Sequence, residues 1–184
     1  IVVLSIGNRN ITMDDVNYHL YALRDYYVTN YGENPWNNKM ENGQTVAEYA
    51  KEQLKNDLIR TQILCDQAEQ RGITLTEDEQ EVISERAADY MSMIGMETAE
   101  NFSITPEAVE KAYRDEELAT RAYIKILNEI TSEMNKDVTY RTYSDKEFEE
   151  ALMKKYYDLY QSWLPEYEVT TSGIWERIVV GSVG

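Results

Sequence analysis

The stretch from Ser144 to Val180 constrains this chain most, because it reads as a helix that turns back into strand-forming residues. Ser144-Asp145-Lys146-Glu147 is a capping box: the Ser hydroxyl accepts from the Glu147 backbone N–H while the Glu carboxylate reaches back. Behind it Phe148, Leu152, Tyr156, Leu159 and Trp163 recur at steps of three and four, one apolar helical face. Pro165 ends that helix, since it has no N–H and disfavours helical geometry in the residue before it. Tyr167 to Thr171, a Ser172-Gly173 turn signal and Ile174 to Val180 then read as strand. The chain also opens on a β-type run, Ile1 to Ile6. A lone hairpin is marginal in water, so the terminal strands are expected to pair with the first one. The predicted fold is mostly α, with a small antiparallel β-sheet formed by the N- and C-terminal strands. A single domain, 1–184, has a base of residues 1–31 plus 144–184 and a helical arm of residues 45–134.

Between the termini, helix signals are dense. Gly7 to Asn10 reads as a turn, and Thr12 with Asp15 opens a helix whose apolar face is Val16, Leu20, Leu23 and Tyr27. That helix should end near Tyr31-Gly32, before a polar loop to Gln44. A second box, Thr45 to Glu48, opens a helix carrying Val46, Ala50, Leu54, Leu58 and Cys65, stopped by Gly72. A third, Thr76 to Glu79, opens one carrying Val82, Ile83, Ala87, Tyr90, Met91 and Ile94, closed by Gly95. Thr105-Pro106 caps a long helix through Val109, Tyr113, Ala119, Tyr123, Ile126 and Ile130 that breaks near Asp137. Val138 to Tyr143 is predicted as a short extended link.

Composition narrows the function classes. The net charge of −16, from 34 acidic against 18 basic residues, repels nucleic acid and anionic membrane, whose binding needs a Lys/Arg surplus. With one cysteine, Cys65, no internal disulfide or Cys-based zinc site can form; on a helix such a thiol reads as a small buried apolar residue. The sole histidine, His19, reads as a surface or edge-of-core residue and cannot build a multi-His metal site. No Gly-rich phosphate loop and no Gly-x-Ser-x-Gly elbow is present. Glu77, Asp78, Glu79 and Glu81 are what a helix N-terminus favours, and no catalytic residue, metal or cofactor is nominated. The first residue is Ile1 rather than Met, so the chain is expected to be processed or trimmed.

Aromatic and Met usage points to binding. Tyr outnumbers Phe 15 to 2, an excess of rings that sit half-buried with a wet hydroxyl. Met91, Met93, Ile94 and Met96 cluster around Gly95, between Tyr90 and Phe102. Unbranched Met repacks against many shapes, which suits a surface for varied apolar segments, although Met91 and Ile94 also suit a plain core. The expected lining is Tyr90, Met91, Met93, Met96, Phe102, Tyr113 and Tyr123, with Trp163 clamping the returning helix to the core.

Three stretches carry a family resemblance. Val3 to Thr12 followed by a capped helix resembles the start of secretion foldases of the SurA/PrsA type. Arg71 to Glu79 is similar to that family's link between its second and third helices, and Ile104 to Val109 with Tyr113 to its next helix start. The resemblance implies a helical chaperone fold of the SurA N-terminal or trigger-factor C-terminal kind. It also implies an ATP-independent function: holding unfolded or apolar segments of exported proteins outside the cytoplasm, as a secreted or envelope protein. Many family members insert a parvulin prolyl-isomerase domain after the helical region; here Ala122 to Tyr143 leads straight into the returning helix, without such a domain. The alternative is a structural or adaptor module of the cell envelope, using the same surface for one fixed partner or a second copy of itself.

Overall fold

The computed structural model describes residues 1–181, so the last three residues of the expected base lie outside it. Strand β1 (Val2–Ile6) runs down the middle of a three-stranded antiparallel sheet, between β2 (Arg9–Thr12) and β3 (Val169–Thr171). The N-terminal run is therefore the shared partner of both its neighbour and the returning chain. β1 and β2 pair Leu4 with Ile11 and Ile6 with Arg9; β1 and β3 pair Leu4 with Thr171 and Ile6 with Val169. Gly7 N–H to Glu168 C=O (2.8 Å) and Ser172 N–H to Val3 C=O (3.0 Å) lengthen the second ladder. A register shift between Val2 and Leu4 lets the consecutive residues Val3 and Leu4 both bury, which a regular strand's alternation forbids. The turn is tighter than expected: Gly7, at φ +59°, and Asn8 make it, and Arg9 and Asn10 already belong to β2.

Helices α1 (Met13–Tyr31), α2 (Val46–Gln70), α3 (Glu77–Ile94), α5 (Pro106–Lys136) and α6 (Asp145–Trp163) start and stop where their caps say. Thr12, Thr45 and Ser144 each form a reciprocal capping box. At Thr76 the hydroxyl accepts from Glu79 N–H, but the Glu79 carboxylate turns to that hydroxyl and to Arg121 of α5. The box therefore becomes an interhelical tie. Val82, expected inside, is 52% exposed, and its neighbour Ile83 takes the buried position.

Three links differ from the sequence expectation. The short helix α4 (Met96–Asn101) had no counterpart. Val138–Tyr140 is a 3-10 turn rather than an extended link, started by Asp137, whose carboxylate accepts from Thr139 N–H at 2.9 Å. Ile174 to Val180 is no strand: Ser172 caps a further helix, α7 (Gly173–Arg177), which buries Trp175 in the core. Burying one indole on a single helical turn outweighs the weak β-preference of that run.

The buried side chains form three clusters. One cluster holds β1, α1, Trp36, the first half of α2, Trp175 and Val180. A second holds Leu64, Cys65 and Ala68 of α2 against Ala119, Ala122 and Ile126 of α5, the small alanines letting the two helices approach closely. Trp163 packs against both. The third, around Ala87, Ile104 and Val109, fills the corner of α1, α3 and α5. α2 thus packs with the sheet at one end and with α5 at the other.

Candidate functional site

The corner between α3 and α5 is shaped by two backbone features. Gly95 takes φ +82° and ψ 161°, a region open to glycine, and turns α3 sharply into α4. α4 then ends in a Schellman motif: Ile104 N–H bonds Ala99 C=O (2.8 Å) and Ser103 N–H bonds Glu100 C=O (3.2 Å). Ser103 holds the left-handed position at φ 53°, where glycine is usual. Gly72 does the same job after α2, with Ile73 N–H on Ala68 C=O and Gly72 N–H on Glu69 C=O. Asn17 Nδ2 donates to Ser103 C=O (3.4 Å), tying the corner to α1, and Thr105 with Pro106 starts α5.

These turns leave an open groove of about 700 Å³ along α4, bounded by Asp14, Met91, Gly95, Met96, Glu100 and Ile104 among others. Beneath it lies a packed aromatic cluster. Tyr18, Tyr90 and Tyr113 meet edge to face with centroids 5.5–6.2 Å apart, and Tyr21 lies 4.8 Å from Phe102. Arg86 sits 5.0 Å over Tyr113 and Arg24 5.5 Å over Phe102. Burial, helped by Tyr21 and Tyr113, pushes the Tyr90 hydroxyl up to about 12, so it stays neutral.

The seven residues nominated as lining fall into distinct places. Tyr90, Met91, Phe102 and Tyr113 share the corner cluster, where the three rings are half-buried packing. Met91 is the one of these four that also faces the groove. Met96 stands on the rim, 79% exposed; Met93, 73% exposed, lies outside the lining. Tyr123 is elsewhere: it packs edge to face on Tyr156 of α6 at 4.9 Å and reaches Met153 Sδ at 3.8 Å.

Two features escaped the sequence. A wider cleft of about 990 Å³ opens where α5 ends, between Ile130, Met134, Val138, Tyr140 and Leu159, with carboxylates and Lys136 and Lys155 around it. Val138 and Tyr140 of the 3-10 turn form part of its wall. A polar seam between α1, α2 and α5 holds Asp15, His19, Gln62, Lys111 and Asp115 around a space of about 40 Å³. Lys111 Nζ bonds Asp15 at 2.8 Å and Gln62 Nε2 bonds Asp115 at 3.1 Å. Burial opposes ionisation of Asp15, but Lys111 and Thr12 outweigh it and hold its carboxyl below the usual value. Burial pushes His19 down to about 4; Asp15 works against that shift and Lys111 with it. Burial raises the Cys65 thiol to about 12, where it donates to Asp115 C=O (3.2 Å) as an inert core residue. Pairings across such sequence separations leave no local signal.

Among the described residues, no group of three or more His, Cys, Asp or Glu is placed to hold a metal ion. Among them, too, no helix is long and apolar enough to cross a membrane. Comparison with protein-family models, with curated proteins and with solved structures returned no match.

Proposed function

We propose that this chain is an ATP-independent chaperone-like domain that holds unfolded or apolar polypeptide segments of exported proteins, outside the cytoplasm and without isomerase chemistry of its own. The observation that carries the reading is the α3–α4 groove, walled by Met91 and with Met96 standing out on its rim beside a packed aromatic cluster. Exposing a flexible thioether to water gains the fold nothing, whereas beside an open groove it offers adaptable apolar contact to segments of differing shape. The resemblance of the helix starts to SurA/PrsA-type foldases supports the same reading.

The test is aggregation of a reduced, unfolded protein followed by light scattering. Suppression is expected near a one-to-one ratio, relieved by several unrelated apolar peptides. Met96→Ser should weaken suppression several-fold while leaving the helical circular dichroism unchanged, because the side chain is exposed. Competition by one peptide alone would favour the adaptor, and absence of both suppression and peptide binding would sink the proposal.

A further inference from the structure

The charges that line the groove are all of one sign. The charged residues in its lining are Asp14 and Glu100; Glu97 follows Met96 in the first turn of α4. No Lys or Arg lines it. Among the described residues, none of these three carboxylates has a hydrogen bond or ion pair through its side chain. Elsewhere, four acidic groups are tied by a cation from another element: Asp15 by Lys111, Glu79 by Arg121, Glu69 by Arg9 and Glu129 by Arg71. The α5–α6 cleft, for its part, carries Lys136 and Lys155 among its carboxylates. The Met groove therefore joins apolar contact to a negative rim that no lining cation answers.

We infer that the groove selects cationic apolar segments: a stretch of polypeptide whose apolar side chain lies against Met91 and Met96 while a flanking Lys or Arg meets Glu97, Glu100 or Asp14. The inference rests on the function proposed above and adds the class of segment preferred. The net charge of −16 acts in the same direction at long range, drawing in basic segments and turning away acidic ones. It also disfavours a second copy of this chain as the occupant, since like-charged surfaces would have to meet. Exposed ion pairs are individually weak, so two or three together amount to roughly a tenfold preference at low salt, shrinking as salt screens them.

The experiment uses three labelled peptides with one apolar core, flanked by Lys, by Gln or by Glu, titrated with the intact chain and followed by fluorescence anisotropy at low and high salt. Binding is expected in the order Lys, Gln, Glu, with the spread collapsing at high salt. Glu97→Gln with Glu100→Gln should bring the Lys peptide close to the Gln peptide; both side chains are exposed, so the fold is retained. Met96→Ser should weaken all three alike. Equal binding of the three peptides at low salt would overturn the inference and leave the holding function intact. Binding of none would remove the parent proposal as well. A Lys preference that survives both the carboxamide pair and Met96→Ser would put the site elsewhere on the acidic surface and overturn the inference. So would concentration-dependent dimerisation abolished by Met96→Ser.

Discussion

The sheet end of the molecule and its α5–α6 end are built from similar materials with different depths of burial. Around β1, Val3, Leu4, Ile6 and Val16 are sealed from water and touch helices on several sides. Along α6 no residue is fully buried, although Phe148, Leu152, Tyr156, Leu159 and Trp163 all lie on one face as their spacing requires. An amphipathic face shows which side of a helix prefers to be covered; how much is covered depends on how many elements reach it. The strand in the middle of the sheet has neighbours on both edges and helices packed against it. α6 packs chiefly on α5, and Trp163, at its C-terminal end, pins it to both core clusters.

The contrast predicts unequal costs. Leu4→Ala should lower stability by about 3 kcal/mol, the usual cost of a sealed leucine, read from the urea midpoint. Phe148→Ala, on the half-buried face, should cost about 1 kcal/mol. Equal losses would mean that the α6 end is as tightly built as the sheet and would break the comparison. Acid should act on the inner part too. The His19 imidazole is held near 4 in the folded protein against an ordinary value of 6.5, so the unfolded chain takes up its proton first. Stability should therefore fall as pH drops from 6.5 to 4, by on the order of 3 kcal/mol. His19→Gln should flatten that part of the profile. Asp15, with its carboxyl lowered, adds a further loss only below its ordinary value of 3.8. A wild-type profile level between 6.5 and 4 would show that His19 is not held neutral. The smallest effect sharpens the picture of the α3–α5 corner: Ser103→Gly should raise stability by up to about 1 kcal/mol, because the left-handed position no longer opposes a Cβ. Thermal midpoints would show it, and no gain would mean that the turn holds Ser103 without strain.

Gly72 and Ser103 show where the sequence could be read and where it could not. Both close a helix with the same pair of hydrogen bonds. Gly72 announces the stop by its identity, so the end of α2 was legible. Ser103 occupies the equivalent position without the residue that marks it, so the end of α4 leaves no such sign in the sequence. At the C-terminus, Ser172-Gly173 was legible as a break, yet the same Ser is a helix cap and the residues beyond it follow Trp175 into the core rather than continuing as strand. The candidate site divided in the same way. Met91 and Met96 were found by composition and both meet at the groove, whereas Tyr123 shares a helix with Tyr113 but faces α6.

The sequence by itself determined the helix starts, most of the stops and the return of the chain to its first strand. These depend on caps, proline, glycine and apolar spacing, whose energies act within a few residues. The tertiary structure alone decided which Tyr and Met remain open to solvent and which carboxylates find a cation. It also decided where a turn widens into a groove, since those outcomes depend on contacts between residues far apart in the chain, and such contacts exist only once the helices have packed.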